Sequence, residues 1–458
     1  MRRHSALVFS ALPLAALAAP LHAQPLTLTQ AVDTAQRNYP SIRVTEEQTQ
    51  AAAAAISLAR TAYLPRIDAL AQANRATRNN VFGLLLPQSV VPSMSGPVLG
   101  TNNLGTAWGS AIGVLVTWEP FDFGLRRANL DASTAERRYT EAVSKRTAFE
   151  VATATADAFL TLAAAQETAQ AAQAAVERAE VVVRTAAALV NAELRPGADR
   201  SRAEAELAAA RTQVAQARQA VEIARVTVAQ FTGLDAVRIS LAAPRLQQLP
   251  DARAEEPPSL AANPIAAEQQ AVVEREQARL HALERAYFPK FYLQGAAYAR
   301  GTGAELNGVN LSGLNGLAPS VQDYALGFTV VFPVMDKPAT RAREAQQSAN
   351  LRAQQAKARQ IAADLRAQWD RAVATVDGAR HIAANTPTEV SAAHAALEQA
   401  RARYESGLGA IDPVAEAQRL LAQAEIDDAL ARLAVWRGLL ALTAAAGDIR
   451  PFLAEVGQ

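Results

Sequence analysis

The sequence has no cysteine, almost no net charge and few aromatic side chains, and each of these shortages excludes a class of protein. The absence of cysteine excludes disulfides, thiol chemistry and a lipid attached to an N-terminal cysteine. The 45 Lys and Arg residues are balanced by 44 Asp and Glu residues, so the chain lacks the basic surface typical of a nucleic-acid-binding protein. Hydrophobic residues make up 50% of the chain but aromatic residues only 5%. Alanine carries much of this apolar content, which favours closely packed helices.

The first 23 residues have the pattern of a secretory signal peptide. Arg2 and Arg3 form a basic segment, residues 6–19 are apolar, and Ala23 ends a small-residue cleavage pattern. The apolar stretch is shorter than the roughly 20 residues of a membrane-spanning helix, although a single membrane anchor is the alternative interpretation. We therefore expect an exported protein whose signal peptide is cleaved and which carries no lipid. No later stretch is expected to span a membrane as a helix, so membrane insertion would have to use strands.

The chain contains the same local pattern twice. Residues 63–67, Tyr-Leu-Pro-Arg-Ile, recur as residues 287–291, Tyr-Phe-Pro-Lys-Phe. An Asn-Tyr-Pro element at 38–40 and an Asn-Pro element at 263–264 precede them at matching distances. This duplication predicts two structural repeats after the signal peptide, covering 24–245 and 246–458. Each repeat is expected to contain a helix, a short strand, a variable loop, a second strand and a very long helical hairpin.

Apolar residues in the last long helix of each repeat alternate in steps of four and three, which indicates coiled-coil packing. The same pattern would suit an ordinary helical bundle. In the first repeat the series is Ala203, Leu207, Ala210, Val214, Ala217, Val221, Ala224, Val228 and Phe231. In the second repeat it is Val414, Ala417, Leu421, Ala424, Asp428, Ala431, Val435, Gly438, Leu442 and Ala445, in which Asp428 is the polar member.

The partner helix in the first repeat is predicted to be exceptionally long, because no proline or glycine occurs between Gly124 and Val190. A continuous helix of about 66 residues would reach about 100 Å at about 1.5 Å per residue. That length exceeds a compact domain and suits a tube that crosses a cell-envelope compartment. The corresponding helix of the second repeat, from about Thr340, is expected to be interrupted at Gly378 and Pro387.

Two segments in each repeat alternate between large apolar and small or polar residues, as membrane-spanning strands do. In the first repeat they follow Pro65 and lie at 110–118, and in the second they follow Pro289 and lie at 324–332. The predicted lipid-facing residues are Val114, Val116, Trp118, Tyr324, Leu326, Phe328, Val330 and Phe332. A soluble antiparallel sheet with one buried face is the alternative. Four strands cannot close a barrel and open edges are not viable in lipid, so we expect an obligate homo-oligomer.

Several short motifs, in this order and spacing, resemble the TolC-like outer membrane factor family over essentially the whole mature chain. They are Leu-Thr-Leu-Thr-Gln-Ala-Val at 26–32, Trp-Glu-Pro-Phe-Asp-Phe-Gly at 118–124, Tyr-Glu-Ser-Gly-Leu-Gly at 404–409 and Val-Ala-Glu-Ala-Gln at 414–418. The duplicated Asn-Pro and aromatic-Pro elements also match. The resemblance implies a mainly α fold with a small β part, built from a duplicated repeat.

The resemblance further implies a homotrimer in the outer membrane, with a twelve-stranded β-barrel continued by a periplasmic coiled-coil α-barrel of twelve helices. Such a protein is a passive exit duct for small molecules. It docks with an inner-membrane pump through a periplasmic adaptor (membrane fusion protein). A duct for type I protein secretion is the alternative, and a periplasmic coiled-coil adaptor or scaffold is a further one.

The turns of the two long helical hairpins are predicted from Pro and Gly residues that break the helices. Ser201 and Glu204, after the first turn, have the spacing of a capping box. The resemblance implies that these turns contact the adaptor. The residues concerned are Leu194, Arg195, Pro196, Gly197, Asp199, Gly407, Leu408 and Gly409.

The resemblance also implies an acidic ring that narrows the periplasmic entrance, with acids six and nine positions after Gly407, the glycine of the second turn. Here those positions hold Pro413 and Glu416, and Asp412 lies one residue before the first. Glu416 and Asp412 are therefore the candidate gate residues, and three copies of each would favour cationic permeants. The alternative is that both acids stabilise the N-terminus of the following helix, by about 0.3–1 kcal/mol each.

No catalytic or metal-binding pattern is found in the sequence after the signal peptide. His281, His381 and His394 are far apart and lack the spacing of metal ligands. No glycine-rich phosphate loop follows a predicted strand. We therefore expect neither enzymatic activity nor a cofactor, a metal or a nucleic-acid partner, and the energy for transport must come from another protein.

Overall fold

The computed structural model describes residues 25–77, 106–251, 259–303 and 311–457. Its helices are α1 (Leu28–Asn38), α2 (Pro40–Thr61), α3 (Leu125–Asn191), α4 (Gly197–Thr232), α5 (Pro264–Arg285), α6 (Lys337–Glu405), α7 (Asp412–Ala446) and α8 (Arg450–Val456). Its strands are β1 (Arg66–Thr77), β2 (Thr106–Phe121), β3 (Lys290–Thr302) and β4 (Val321–Val331). The order α2-β1-β2-α3-α4 recurs as α5-β3-β4-α6-α7, so both halves contain the expected order of elements. The signal peptide predicted at 1–23 lies outside the described residues.

The four strands form one antiparallel sheet in the order β1-β2-β3-β4. Arg66, at the start of β1, lies opposite Thr117 of β2. The register of β2 against β3 shifts between Trp118 and Phe121. Pro120 lies in this β-bulge, where a residue without an N–H does not interrupt the hydrogen-bond ladder. Among the described residues, β1 and β4 each keep one edge without a strand partner.

The helices continue the single layer that the sheet forms, and we call this helical layer the helical wall. Next to the strands, α2 packs on α3, α3 on α5 and α5 on α6, which is the same order as the strands. Toward the other end of the molecule, α3 packs on α4 and α7, and α7 packs on α6. The 67 residues of α3 and the 69 residues of α6 belong to both parts of the wall, so these two helices connect the sheet to the hairpin turns. The very long helix predicted in the first repeat is confirmed.

The coiled-coil seams predicted in α4 and α7 are also confirmed. The buried members of the α4 series are Ala203, Val214, Ala217, Val221, Ala224 and Val228. Every apolar member of the α7 series is buried. Asp428, the polar member, accepts a hydrogen bond of 2.6 Å from Thr386 Oγ1 of α6 and pairs with Arg432 one turn further along α7. Both carboxylate oxygens of this partly buried residue are therefore partnered within the seam, which offsets the cost of desolvating the charge.

The expected interruption of the long helix in the second repeat is wrong. Helix α6 runs from Lys337 to Glu405 without a break and includes both Gly378 and Pro387. A proline inside a helix removes one backbone hydrogen bond and costs about 3 kcal/mol. Buried contacts with α7 hold the helix on both sides of this point, through Ala383 before it and Ala393 after it. Because helices in proteins are stabilised mainly by tertiary packing, these contacts offset the local cost.

The expectation that no later stretch could span a membrane as a helix is wrong, because two helices are long and apolar enough to do so. Segments of α3 and α7 reach mean hydropathy values of 1.3 and 1.4 over 18 residues. More than half of each segment is buried inside the protein. The largest buried cluster joins these helices to α1 and α8 around Phe159, Trp436 and Phe452. Packing within the helical wall therefore accounts for their apolar character.

Each long hairpin ends at a glycine that lies against the asparagine of the duplicated Asn-Pro element. Gly233 follows α4 with a φ of 72°, and Gly447 follows α7 with a φ of 87°. Asn38 Nδ2 donates to the last carbonyl of α4 (3.1 Å), and Asn263 Nδ2 donates to a last-turn carbonyl of α7 (2.9 Å). In each repeat the asparagine before α2 or α5 therefore binds the end of the long hairpin, α4 or α7.

We expect Gly447→Ala to destabilise the protein more than Gly233→Ala. Both changes put a side chain in the left-handed region, which costs about 1–2 kcal/mol. A Cβ at Gly447 would also lie 2.6 Å from Asn263 Cα, whereas the nearest atom to a Cβ at Gly233 is 3.8 Å away. The closer approach adds about 1–3 kcal/mol of overpacking. Thermal unfolding followed by helical circular dichroism measures both losses, and equal losses would contradict the packing argument.

Candidate functional site at the hairpin tips

The two hairpin turns lie side by side at the end of the molecule opposite the sheet. The first turn, 192–196, joins α3 to α4, and the second, 406–411, joins α6 to α7. Arg195 Nη2 donates from the first turn to the Tyr404 carbonyl (3.0 Å) and the Gly409 carbonyl (2.6 Å) of the second. The Arg195 guanidinium also lies 4.9 Å from the centre of the Tyr404 ring. One arginine therefore joins the two tips through charge-assisted hydrogen bonds and a cation–π contact.

Both turns have the same backbone geometry. The residue after each helix cap is left-handed, with φ 57° at Glu193 and 83° at Gly407. The next amide reaches back to a carbonyl of the last helical turn, at 2.9 Å for both Leu194 and Leu408. This is a Schellman-type ending, in which a residue with positive φ reverses the chain. It leaves the two leucine side chains in equivalent positions, 70% and 77% exposed.

The first turn differs from its sequence prediction in one respect. Helix α4 begins at Gly197, directly after Pro196 in an extended conformation, so Ser201 lies inside the helix and does not cap it. Glu204 pairs instead with Arg200 (2.8 Å). The predicted capping box is therefore wrong. A proline already fixes the chain direction before the helix, and Asp199 supplies the negative charge of the first turn.

Tyr404 is the most buried large side chain of the tips, with 1% of its surface exposed. Burial, and then the nearby Asp199 carboxylate, raise the pKa of Tyr404 to about 12. Its hydroxyl makes no hydrogen bond of ordinary length and angle within the part of the chain that the structure describes. Sequence reasoning named Arg195 as a tip residue but missed its bridge to Tyr404. The two residues are 209 positions apart, so no local pattern indicates their contact.

We expect Arg195→Ala to loosen the second tip against the first. Each lost charge-assisted hydrogen bond contributes about 1.5–3 kcal/mol, and Arg195→Lys, which lacks the planar fork, should restore the contact only in part. The chain has no cysteine, so spin labels at Leu194→Cys and Leu408→Cys report the tip-to-tip distance without background. A broader distance distribution in Arg195→Ala is the expected result. An unchanged distribution would mean that packing alone holds the tips together.

The two candidate gate acids lie at the start of α7 and are both largely exposed. Asp412 is in the first turn, as its helix-stabilising interpretation requires. Its Oδ1 lies 3.6 Å from Arg202 Nε of α4. Glu416 Oε2 lies 2.8 Å from Arg419 Nη2. Each candidate acid thus has an arginine beside it.

The sheet at the opposite end has one apolar and one mixed face. Register places Val114, Ala297 and Tyr324 in one row on the apolar face. The exposed apolar side chains on this face include Ile67, Ile112, Val114, Trp118, Tyr324, Leu326, Phe328 and Val330. Val116 on the same face is half-buried, and Phe332 lies one residue beyond the end of β4. The other face carries the ion pairs Arg66–Asp68 (2.9 Å) and Arg300–Asp323 (3.3 Å).

Among the described residues, no group of three His, Asp or Glu side chains could hold a metal ion. The family model for outer membrane efflux proteins matches residues 31–234 and 258–448, which is well over half of the chain. The chain belongs to the outer membrane efflux protein family. No curated protein sequence matches it.

Solved outer membrane channels have the same fold as this efflux protein. The outer membrane channel OprN is 20% identical, with a TM-score of 0.71, and the match covers 92% of this chain and 89% of OprN. The Campylobacter jejuni CmeC channel is 15% identical, with a TM-score of 0.75 and 92% and 85% coverage. The open state of the Neisseria gonorrhoeae MtrE channel is 20% identical, with a TM-score of 0.71 and 92% and 89% coverage.

Family and fold together identify an outer membrane efflux duct, mainly α-helical with a small antiparallel sheet. The resemblance drawn from the sequence motifs is therefore confirmed. The alternative of a periplasmic adaptor or scaffold is not supported, because the matched family and the matched structures are outer membrane channels.

Proposed function

We propose that this protein is the outer membrane component of a tripartite efflux system and acts as a passive exit duct for small molecules. One observation carries the proposal: an exposed apolar sheet face with two unpaired edges at one end, and two exposed leucines on equivalent turns at the other. The sheet end suits lipid and the tip end suits a protein partner. In this proposal the energy for transport comes from the pump.

The unpaired strand edges support a homotrimer. In lipid, each edge must find a partner because water is not available to satisfy its backbone groups. Pairing β4 of one copy with β1 of the next satisfies both edges, and three copies supply twelve strands, within the range of closed outer membrane barrels. In this arrangement Val114, Trp118, Leu326 and Phe328 contact lipid. The repeats at 24–245 and 246–458 would then alternate around the duct.

The tips are the proposed docking site for a periplasmic adaptor, which connects the duct to an inner-membrane pump. Leu194 and Leu408 are exposed in equivalent positions on two adjoining turns, and apolar side chains presented together in this way suit contact with a partner. The other tip residues, Arg195, Pro196 and Gly409, shape the turns that present them. Delivery to the outer membrane would follow cleavage of the signal peptide at 1–23, without lipid attachment because the chain has no cysteine.

Efflux of a fluorescent DNA-binding dye from cells that lack the gene tests the proposed function. Dye should accumulate in the deletion strain, and the wild-type gene should restore its release. Chemical cross-linking of the restored protein in the outer membrane fraction should give a trimer band. Unchanged dye retention after deletion would contradict small-molecule efflux, and loss of a secreted protein from the medium would then favour protein secretion.

A further inference from the structure

Five charged side chains near the second tip form one connected group, which we call the tip charge cluster: Arg202, Glu206, Asp412, Glu416 and Arg419. Arg419 Nη2 lies 2.8 Å from Glu416 Oε2, and Arg419 Nε lies 3.8 Å from Glu206 Oε2. Arg202 lies 3.2 Å from Glu206 Oε1 and 3.6 Å from Asp412 Oδ1. The cluster thus alternates in sign and connects α4 to α7.

The alternation changes the electrostatics of the candidate gate. Two carboxylates on α7 would give each chain two negative charges at the entrance, and their three copies would repel one another and attract cations. With the two arginines and Glu206 included, the cluster carries one net negative charge per chain. Since neighbouring opposite charges largely cancel at distances beyond their separation, a passing ion encounters a much weaker field.

Arg419 is the stronger of the two neutralising groups. It makes the shortest contact in the cluster, to Glu416. Arg202 lies closer to Glu206 than to Asp412, so its charge is directed away from the α7 acids. All five side chains contact solvent, and Glu206 is the least exposed of them. The exposed pairs contribute little to stability, so the arginines can be removed without unfolding the protein.

We propose that Arg419 is a specificity-determining residue of the duct, because it neutralises Glu416 and keeps the entrance only weakly selective for cations. This inference rests on the proposed function, and it takes the adaptor-docking end of the molecule as the periplasmic entrance of the duct. The duct then admits permeants of either sign, as an exit for chemically varied molecules requires. The acids alone would disfavour anionic permeants.

The test is the reversal potential of purified trimer in a planar bilayer under a KCl gradient. For Arg419→Gln we expect about a three- to tenfold rise in the cation-to-anion permeability ratio. The variant removes three positive charges from the trimer, and the field of the acids they neutralised then acts across roughly one Debye length. Glu416→Gln should lower the ratio. The double variant should return close to the wild-type value, because its net charge is unchanged. Arg366→Gln, which removes an exposed ion pair with Asp370 in the middle of α6 (3.2 Å), is the matched control.

Two results would overturn the inference. An unchanged ratio in Arg419→Gln with a lowered ratio in Glu416→Gln would mean that Arg419 does not neutralise the acid. Unchanged ratios in all variants, with pores of normal conductance, would mean that the tip charge cluster lies away from the selective constriction. Failure of the proposed function has a different signature, because the wild-type trimer would then form no pore.

Discussion

Replacing both tip leucines with glutamate, Leu194→Glu and Leu408→Glu, is expected to abolish efflux while leaving the trimer assembled. Both side chains are mostly exposed, and the turns that carry them are set by backbone hydrogen bonds and by Gly407, so folding does not depend on them. At a docking interface, however, each apolar anchor contributes about 2 kcal/mol or more, which corresponds to about 30-fold in affinity. Burying an unpaired carboxylate in its place adds a further desolvation cost.

The measurement is dye retention in the deletion strain carrying the double variant, together with its level and its trimer band in the outer membrane fraction. Retention should equal that of the deletion strain at normal trimer level. Val237→Glu is the matched control, because Val237 is 86% exposed in a short turn after α4, far from the tips. Normal efflux by the double variant would place adaptor docking elsewhere. Substitutions at other exposed residues of the helical wall would then be used to locate it.

The features that could be predicted from the sequence depend on short-range patterns. The four-three spacing in α4 and α7 located the buried seams because a 3.5-residue repeat is written directly in the chain. The two turns followed from Pro196 and Gly407 for a similar local reason. The Asn-Pro duplication was recognised as a repeat, but its role in joining Asn263 to the end of α7 required the structure.

The features that could not be predicted depend on contacts between distant residues. The sequence predicted an interruption at Pro387 because a proline inside a helix removes a backbone hydrogen bond. The buried contacts with α7 that offset this loss are not visible in the sequence. The Arg195 bridge and the tip charge cluster join α4 or its preceding turn to residues about two hundred positions later. Arg419 lies only three residues after Glu416, so their pairing is local, but the connection of Arg419 to Glu206 of α4 required the structure.

Leu326→Arg is expected to prevent assembly, whereas Ala325→Arg, one residue earlier in the same strand, is expected to be tolerated. Leu326 lies at the middle of β4 on the apolar face and is 77% exposed in the chain. If that face contacts lipid, an arginine at the bilayer midplane costs about 2–4 kcal/mol in each copy. Ala325 points to the opposite face of the sheet, where charged residues such as Asp323 already lie, because successive side chains alternate.

The two variants form a stringent pair because they share a strand, an exposure class and a new side chain, and place the charge on opposite faces of the sheet. Heat-modifiable gel migration and outer membrane fractionation measure assembly in each. Loss of the trimer in Leu326→Arg alone would support the lipid-facing assignment of Val114, Trp118, Phe328 and Val330. Equal tolerance would support a soluble sheet, and loss in Ala325→Arg alone would mean that the two faces are reversed. In a duct whose lumen is lined by the mixed face, Ala325→Arg should also change the single-channel conductance, because it adds three positive charges to the wall of the barrel.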